Sequence, residues 1–293
     1  MRALVFSIDD QYLMPFQVLF HSLHKTESLL DNPPIFVLHE KNLSAESIAT
    51  LREFLRKYGQ EVIFVDTTNH VPDDLPLSEK DHVSKATFYR LFVAEILPPQ
   101  ITSALYVDSD TLVVRSIREL LHVELTCPVA AVDHLSPYDQ LRLCGWSGGG
   151  YFQAGVILID LNYWRENRCT ELFVDIMKTQ RHRIQWWDQD VLNIAFADNW
   201  QRLDVWFNVG HSAVACVPNE VLDDNARLLH YDGSHKPWIQ SVQRPFKDRW
   251  LDAYRDSFGK EFENPWPLSP KLFQRIVRAA NKWVSLLLRR ARR

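Results

Sequence analysis

Residues 103–110 read Ser103-Ala104-Leu105-Tyr106-Val107-Asp108-Ser109-Asp110, an apolar run that leads directly into two acidic residues. The run is typical of a buried β-strand. If the backbone stays extended, the side chains of Asp108 and Asp110 point to the same face, because side chains alternate along a strand. Two carboxylates on one face repel each other unless a cation lies between them. The stretch therefore predicts either a site for Mg²⁺ or Mn²⁺ bridging a diphosphate, or a solvated turn at a strand end.

The chain before this stretch alternates between short apolar runs and amphipathic segments. Strands are predicted at residues 3–8, 34–38 and 62–65, and helices at residues 14–24, 44–58 and 84–97. Ser44 is a typical N-cap for the second helix, and Gly59 is a typical stop after it. This alternation predicts parallel crossovers and an α/β sheet covered by helices on both faces. Ligands of such sheets bind beyond the carboxyl ends of the strands, and three of these strands end at Asp9, Asp66 and Asp108.

The chain after the stretch is less regular. Strands are predicted at residues 128–132 and 155–160, and helices at residues 169–179 and 188–196. The glycine-rich segment 145–150 is either a mobile lid over the ligands or an ordinary flexible loop. A proline cluster interrupts the chain near its end, at Pro265, Pro267 and Pro270. We predict a single catalytic-sized domain over residues 1–264 and a separate tail over residues 265–293.

Composition excludes several classes of protein. With 293 residues, 46% hydrophobic and 24% charged, the chain matches an ordinary globular protein and not a disordered or fibrous one. Residues 271–293 hold eight Lys or Arg and no acid, so the preceding residues carry 25 basic and 37 acidic side chains, a net charge of −12. An acidic body argues against a nucleic-acid binder. Four cysteines without metal-finger spacing, and an N-terminal apolar run too short for a signal peptide, predict a cytoplasmic location.

A second group of polar residues follows an apolar run at residues 228–238, Leu228-Leu229-His230-Tyr231-Asp232-Gly233-Ser234-His235-Lys236-Pro237-Trp238. Gly233 permits close approach of a ligand to the backbone, and Lys236 provides a point charge suited to phosphate. His230 is either an imidazole ligand, which favours Mn²⁺ over Mg²⁺, or a buried structural histidine.

Taken together, these motifs resemble those of glycosyltransferase family 8, which includes bacterial lipopolysaccharide galactosyl- and glucosyltransferases and glycogenin. The resemblance covers about residues 1 to 255 and rests on six blocks in the family's order. The blocks are Phe6-Ser7-Ile8-Asp9-Asp10-Gln11-Tyr12, Thr87-Phe88-Tyr89-Arg90-Leu91, Leu105-Tyr106-Val107-Asp108-Ser109-Asp110, Phe152-Gln153-Ala154-Gly155-Val156, Trp187-Asp188-Gln189-Asp190-Val191-Leu192-Asn193 and His230-Tyr231-Asp232-Gly233-Ser234-His235-Lys236-Pro237-Trp238.

The resemblance implies a GT-A fold, a Rossmann-like mixed sheet flanked by helices, and the retaining transfer of a hexose, galactose or glucose, from a UDP-sugar. By position, the Mn²⁺ ligands would be Asp108, Asp110 and His230. The uridine site would comprise Asp9, Gln11 and Tyr12, with Ser109 near the ribose. The residues that match positions near the donor phosphates or sugar are Arg90, Gly233 and Lys236, and those around the transferred hexose are Gln153, Ala154, Asp188 and Gln189. The family usually has Asn where this chain has Gln153, so the shape of the sugar pocket is expected to differ.

Retention of configuration has two possible routes. In a double displacement, Asp188 or Asp190 would attack the anomeric carbon from its far face. In a front-face reaction, the departing phosphate would take the proton of the acceptor. The family position on the far face corresponds to Gln189, and an amide is a poor nucleophile, so we favour the front-face route. Residues two apart on a helix diverge by about 200°, so the two acids are not expected to act together.

The partners expected from the sequence are a saccharide or lipid-linked saccharide acceptor and an anionic membrane surface. In the tail, apolar residues recur at helical spacing and basic residues occupy the other side, which predicts a basic amphipathic helix over residues 271–293. This helix would either lie on the cytoplasmic face of a membrane or pack on the acidic body. Residues that match the acceptor cleft of the family are His82, Asp133, His211 and Ser212. The alternative function is a non-catalytic saccharide-binding or membrane scaffold relative, against which the intact acidic motif argues.

Overall fold

The computed structural model describes residues 1–41, 43–77, 84–135, 150–197, 199–239 and 244–263. The chain divides into two compact units, Met1–Asp232 and Gly233–Arg293. The glycine-rich segment 145–149 and the tail from residue 264 onward lie outside the described residues, so the predicted boundary between domain and tail stays a prediction.

The first unit is built on a mixed sheet of seven strands. These are β1 (Arg2–Ser7), β2 (Ile35–His39), β3 (Val62–Asp66), β4 (Ser103–Val107), β6 (Val129–Asp133), β7 (Phe152–Asp160) and β8 (Gln201–Leu203), with β5 (Thr111–Val113) and β9 (Leu228–His230) in a separate ladder. The strand order is β3-β2-β1-β4-β7-β6-β8. Strands β1 to β4 pair in parallel, as the alternation predicts, whereas β7 runs antiparallel to both β4 and β6. The predicted α/β class is confirmed.

Helices cover the sheet and connect its strands. In the described part of the chain they are α1 (Leu13–Lys25), α2 (Ala45–Arg56), α3 (Val93–Ile96), α4 (Leu161–Glu166), α5 (Cys169–Thr179), α6 (Trp187–Phe196), α7 (His211–Cys216), α8 (Asn219–Asn225) and α9 (Lys247–Phe258). Ser44 caps α2 as predicted, because its hydroxyl accepts a hydrogen bond from the Ser47 amide at 3.0 Å. Gly59 follows the helix with a left-handed φ of 64°, which glycine adopts without strain.

One predicted helix has a different geometry. The segment predicted as a single α-helix over residues 84–97 is a 3₁₀-helix over Lys85–Phe92, followed by the one-turn α3. Six of the eight residues in the 3₁₀-helix are buried. Since the segment is enclosed on most sides, tertiary packing determines its winding and overrides the helical spacing of its apolar residues.

A short two-stranded ladder joins distant parts of the sequence. Strand β5 pairs antiparallel with β9, and in this register Thr111 lies opposite His230. Residue 110 immediately precedes β5, so the pairing brings the end of β9 beside the acidic motif that follows β4.

The second unit contains α9, whose aromatic side chains pack on neighbouring rings of the same unit. The Trp250 ring lies 5.3 Å from that of Trp238 and 5.5 Å from that of Phe262, measured between centroids. Among the described residues, none of the helices combines the length and the apolar character that crossing a membrane requires.

Part of the core of the first unit is organised around Trp164 on α4. This residue is 1% exposed, and its ring lies 4.9 Å from Phe173 on α5 and 5.6 Å from Phe196 on α6. The indole N–H donates to the carbonyl of Pro128 at 3.0 Å. Trp164 therefore joins three helices to the start of β6.

We predict that Trp164→Ala lowers the free energy of unfolding by about 3–5 kcal/mol, because it removes a large buried ring and leaves a cavity. Urea denaturation monitored by circular dichroism measures the change. The control is Leu172→Ala on α5, since Leu172 is 41% exposed; we expect a change within about 0.5 kcal/mol. Equal effects of the two substitutions would contradict this description of the core.

Candidate active site

Two acids and one imidazole converge beyond the carboxyl end of β4. The side chains of Asp108, Asp110 and His230 each offer a ligand atom, and these atoms lie within 4.8 Å of one another. The Nε2 atom of His230 is 3.2 Å from Oδ1 of Asp110 and 3.8 Å from Oδ2 of Asp108. The structure thus brings together the three residues that sequence reasoning assigned to a metal.

The alternation of side chains along a strand does not explain this convergence. Ser109 and Asp110 form a turn, so the chain is not extended through the motif. Three hydrogen bonds fix the turn. The Ser109 hydroxyl donates to the Ser7 carbonyl at 2.8 Å, and the Asp108 amide donates to the Gly155 carbonyl at 2.7 Å. The Asp110 carbonyl accepts from the Tyr231 amide at 3.0 Å. The carboxylates therefore meet because β1, β7 and β9 hold the turn.

The electrostatics of this cluster follow from burial and from the crowding of like charges. Burial raises the pKa of Asp108, and the neighbouring Asp110 carboxylate raises it further, although Arg90 opposes both effects. Burial lowers the pKa of His230, but the carboxylates of Asp110, Asp232 and Asp108 together outweigh it, so the pKa of His230 is raised. Without a further cation, these effects favour the protonated forms of Asp108 and His230.

Arg90 lies at the centre of the charges and is buried. Its guanidinium donates to Asp108 Oδ1 at 2.6 Å, its Nε lies 2.9 Å from Asp188 Oδ2, and it also donates to the carbonyl of Ala154. Its carbon Cζ lies 4.3 Å from the centre of the Tyr106 ring, a cation–π contact. Burial lowers the pKa of Arg90, but Asp108 and Asp188 raise it by more, so the residue stays charged.

The first turn of α6 supplies three polar side chains with different surroundings. Burial raises the pKa of Asp188 to about 7, even though Arg90 lowers it. The Gln189 amide is fixed, because its Oε1 accepts from the Ala154 amide at 3.0 Å and its Nε2 donates to the Tyr151 hydroxyl at 3.0 Å. Asp190 accepts hydrogen bonds from the amides of residues 185 and 186 and from the Tyr151 hydroxyl, each at 2.7 Å. Asp188 and Asp190 thus face different partners, and Asp190 secures the helix start.

The residues assigned to the uridine lie after β1, which neighbours β4 in the sheet. Asp9 caps a short 3₁₀-helix over Asp10–Tyr12, and its Oδ1 accepts from the amides of Gln11 and Tyr12 at 2.9 and 3.1 Å. Gln11 is exposed, and Tyr12 is half-buried. Because β1 and β4 are parallel neighbours, their carboxyl ends lie side by side, and Ser7 at the end of β1 accepts from the Ser109 hydroxyl. The binding of uridine by Asp9, Gln11 and Tyr12 stays a prediction. Asp66, the last residue of the edge strand β3, instead accepts a hydrogen bond from the Thr68 amide at 2.9 Å.

Other predicted residues lie elsewhere. Gly233 and Lys236 belong to the second unit, so their role toward a donor stays a prediction. In the region assigned to the acceptor, His82 lies outside the described residues, and Asp133 Oδ1 accepts from the Leu135 amide at 3.0 Å. His211 begins α7, and its amide donates to Asp232 Oδ1 at 3.0 Å.

Sequence reasoning missed two residues near the cluster, Asn208 and Tyr151. Asn208 is 3% exposed, and its Oδ1 lies 2.9 Å from Nδ1 of His230. Asn208 follows a 3₁₀-helix and belongs to none of the quoted blocks, so no pattern in one sequence distinguishes it from an ordinary loop asparagine. Tyr151 bonds to both Gln189 and Asp190, but its position before β7 gave no sign of this.

The residues present fit a divalent cation. Carboxylate oxygens and an imidazole nitrogen together suit Mn²⁺ and related ions. The Asp108 side chain is 23% exposed, so the cluster can be reached by a ligand. Space beside it is kept by Gly155, since a Cβ there would lie 2.1 Å from Cε1 of His230 and 2.8 Å from Oδ2 of Asp108.

We predict that Gly155→Ala abolishes divalent-cation binding, because the new methyl group displaces both His230 and Asp108 from their positions. Isothermal titration of Mn²⁺ into the metal-free protein measures this loss. The matched control is Ala154→Gly at the adjacent position, which adds no atoms; its cation affinity should stay within a few-fold of wild type. Wild-type affinity in Gly155→Ala would contradict the assigned geometry.

Comparisons with known proteins identify the family. A sequence profile described as "Glycosyl transferase family 8" matches residues 3–241. Glycosyltransferase GlyF of Streptococcus pneumoniae is 27% identical over 269 residues, which cover 87% of this chain and 61% of GlyF. A lipopolysaccharide 1,2-glucosyltransferase of Escherichia coli is also 27% identical, with 85% of this chain and 77% of the relative covered. General stress protein A of Bacillus subtilis is 23% identical, and the match covers 83% of this chain and 89% of that protein.

Solved structures share the architecture. Galactosyltransferase LgtC in complex with donor and acceptor sugar analogs matches with a TM-score of 0.75 at 24% identity, covering 87% of this chain and 96% of LgtC. Glycosyltransferase GlyE of Streptococcus pneumoniae matches with a TM-score of 0.64 at 23% identity, covering 87% of this chain and 61% of GlyE. These likenesses confirm the predicted GT-A fold. Since the family profile spans most of the chain, the protein belongs to glycosyl transferase family 8.

Proposed function

We propose that this chain transfers a hexose, galactose or glucose, from a UDP-sugar to a saccharide acceptor with retention of configuration and with the help of Mn²⁺. The observation that carries the proposal is the convergence of Asp108, Asp110 and His230 beyond the end of β4. A cation held there lies where α/β sheets bind nucleotide ligands. The proposed pathway is the synthesis of lipopolysaccharide or another surface glycan.

The relatives support the choice of substrates. One is a lipopolysaccharide 1,2-glucosyltransferase, and the galactosyltransferase LgtC was solved with donor and acceptor sugar analogs. In this chain, Asp9, Gln11 and Tyr12 are proposed to contact the uridine, with Ser109 near the ribose. A nucleotidyltransferase, which would bind a triphosphate, is disfavoured because the turn after β1 carries the acidic side chains of Asp9 and Asp10.

The metal site is proposed to consist of Asp108, Asp110 and His230. When bound there, Mn²⁺ would neutralise negative charge that develops on the diphosphate of the leaving UDP. Arg90 and Lys236 are proposed to stabilise the same charge through their cations. Such contacts accelerate the reaction because they are stronger in the transition state than with the intact donor.

The reaction forms a bond between the acceptor oxygen and the anomeric carbon and breaks the bond between that carbon and the UDP oxygen. UDP leaves with the bonding electron pair, and in the front-face route a phosphate oxygen takes the acceptor proton. Asp190 is a poor nucleophile, because it is fully buried and accepts three hydrogen bonds. Asp188 is ion-paired with Arg90, and Gln189 is a neutral amide. These surroundings favour the front-face route over a double displacement.

The second candidate function is a non-catalytic saccharide-binding or scaffold protein of the same family. It requires no cation, and it would leave the three convergent ligand groups and the buried Arg90 without a chemical use. Release of UDP from a UDP-hexose in the presence of Mn²⁺ distinguishes the two functions.

We predict that Asp110→Asn lowers the rate of UDP release from UDP-hexose by more than about 100-fold, which corresponds to ~3–4 kcal/mol for a preorganised electrostatic contact. A chelator should abolish the wild-type activity, and Mn²⁺ should restore it. The matched control is Asp66→Asn at the end of β3, outside the cluster, which should keep wild-type rates. Near-normal turnover of Asp110→Asn in excess chelator would refute the metal assignment.

We also propose that residues 271–293 attach the enzyme to the cytoplasmic face of an anionic membrane, where a lipid-linked acceptor is available. The support is the sequence, in which basic residues recur opposite apolar ones at helical spacing. Each cation near such a surface contributes about 1 kcal/mol.

For this attachment, we predict that replacing Arg275, Arg278, Lys282 and Arg289 with Gln releases the protein from vesicles containing phosphatidylglycerol while UDP release is retained. Sedimentation with vesicles measures binding, and pure phosphatidylcholine vesicles give the background. The matched control replaces four exposed cations of the body with Gln, at Lys41, Arg56, Lys178 and Lys260. The anchor is disproved if the tail variant binds as tightly as wild type.

A further inference from the structure

Two buried amide side chains flank the ring nitrogen of His230 that faces away from the acidic cluster. Nε2 of Gln153 lies 3.0 Å from Nδ1 of His230, and Oδ1 of Asn208 lies 2.9 Å from the same atom. His230 and Asn208 are each 3% exposed, and Gln153 is 9% exposed. Water is therefore largely excluded, and these two amides determine what Nδ1 can bond to.

The orientation of both amides follows from one backbone group. The Gly155 amide can only donate, and it donates to Oε1 of Gln153 at 2.7 Å. The same oxygen accepts from Nδ2 of Asn208 at 2.5 Å. Since the Asn208 nitrogen is directed to Gln153, its oxygen is directed to His230. The chain of hydrogen bonds from Gly155 through Gln153 thus presents an acceptor, Oδ1 of Asn208, to the imidazole.

Each amide is compatible with a different tautomer of the ring. A neutral imidazole carries its proton on one nitrogen and a lone pair on the other. With the proton on Nε2, Nδ1 accepts from Gln153 and the N–H points at Asp110, which leaves no lone pair for a cation. With the proton on Nδ1, the ring donates to Asn208, and the lone pair of Nε2 faces the two carboxylates. Only the second tautomer can bind a metal.

We propose that Asn208 is a positioning residue for the metal site: its Oδ1 accepts the Nδ1 proton of His230 whenever Nε2 binds the cation, and Gln153 sets the direction of the Asn208 amide. The geometry suits this role, because Oδ1 of Asn208 lies 2.9 Å from Nδ1 while Nε2, on the other side of the ring, lies 3.2 Å from Oδ1 of Asp110. Partners of this kind fix the ring orientation and the tautomer of metal-bound histidines. This inference rests on the proposed function, whose metal site includes His230.

The test measures Mn²⁺ affinity by isothermal titration in metal-free protein, without donor or acceptor. Asn208→Leu removes the acceptor without changing net charge, and we expect affinity to fall by about 10- to 100-fold, the usual effect of losing such a partner. Asn208→Asp keeps an acceptor for Nδ1 but loses the donor to Oε1 of Gln153, so its affinity should lie between those of Asn208→Leu and the wild type. The matched control is Asn193→Leu: Asn193 is also buried and uses its amide to bind the backbone of Phe152, so this variant should lose stability but keep wild-type affinity.

A spectroscopic measurement needs only the wild type. In protein labelled with ¹⁵N-histidine and loaded with diamagnetic Zn²⁺, the Nδ1 proton of His230 should be visible and protected from exchange with water. Wild-type cation affinity in Asn208→Leu, or rapid exchange of that proton in the wild type, would overturn the proposal. Failure of the wild type to bind Mn²⁺ or Zn²⁺ at all would instead overturn the proposed function, and the inference with it.

Discussion

The repulsion between the carboxylates of Asp108 and Asp110 is the constraint on which the site depends. Both are held by backbone hydrogen bonds in a turn that prevents them from separating, and burial makes their negative charge more costly. Arg90 offsets part of this charge from one side, and His230 faces it from the other. Negative charge is left over, and a divalent cation bound between the two carboxylates would neutralise it.

The fold creates this concentration of charge by joining segments that are far apart in sequence. β1 and β4 end side by side, and Gly155 on β7 lies next to the cluster. β9 pairs with β5 in the register that sets His230 opposite Thr111. The same segments carry the hydrogen bonds that orient the polar side chains. Rigid strands therefore hold the ligand groups, which is the arrangement that electrostatic catalysis requires.

Many of the strands and helices could be predicted from the sequence, because apolar patterns and capping residues indicated the same elements. Apolar runs indicated the strands, and Ser44 and Gly59 indicated the ends of α2. The spaced acids after β4 left a cation site and a solvated turn as alternatives, and the resemblance to the family favoured the cation site. The 3₁₀-helix at Lys85–Phe92 was not predictable, since packing from several sides determines its winding. Asn208 was missed for a related reason: its role depends on a contact with His230 that only the tertiary structure creates.

The three-residue ladder of β5 and β9 separates sequence changes that would disturb the site from changes that would not. It closes a loop that contains much of the chain, including β6 to β8, and it pairs Thr111 with His230 beside the acidic turn. Val209, inside that loop, supports the same register, because its carbonyl accepts from the His230 amide at 2.9 Å. Exposed connections of that loop can lengthen, shorten or exchange residues without altering the register, as surface connections commonly do, provided that Gly155 and Val209 keep their contacts with the site. Descendants of such a fold can therefore diverge in the acceptors they recognise while inheriting the same ion centre.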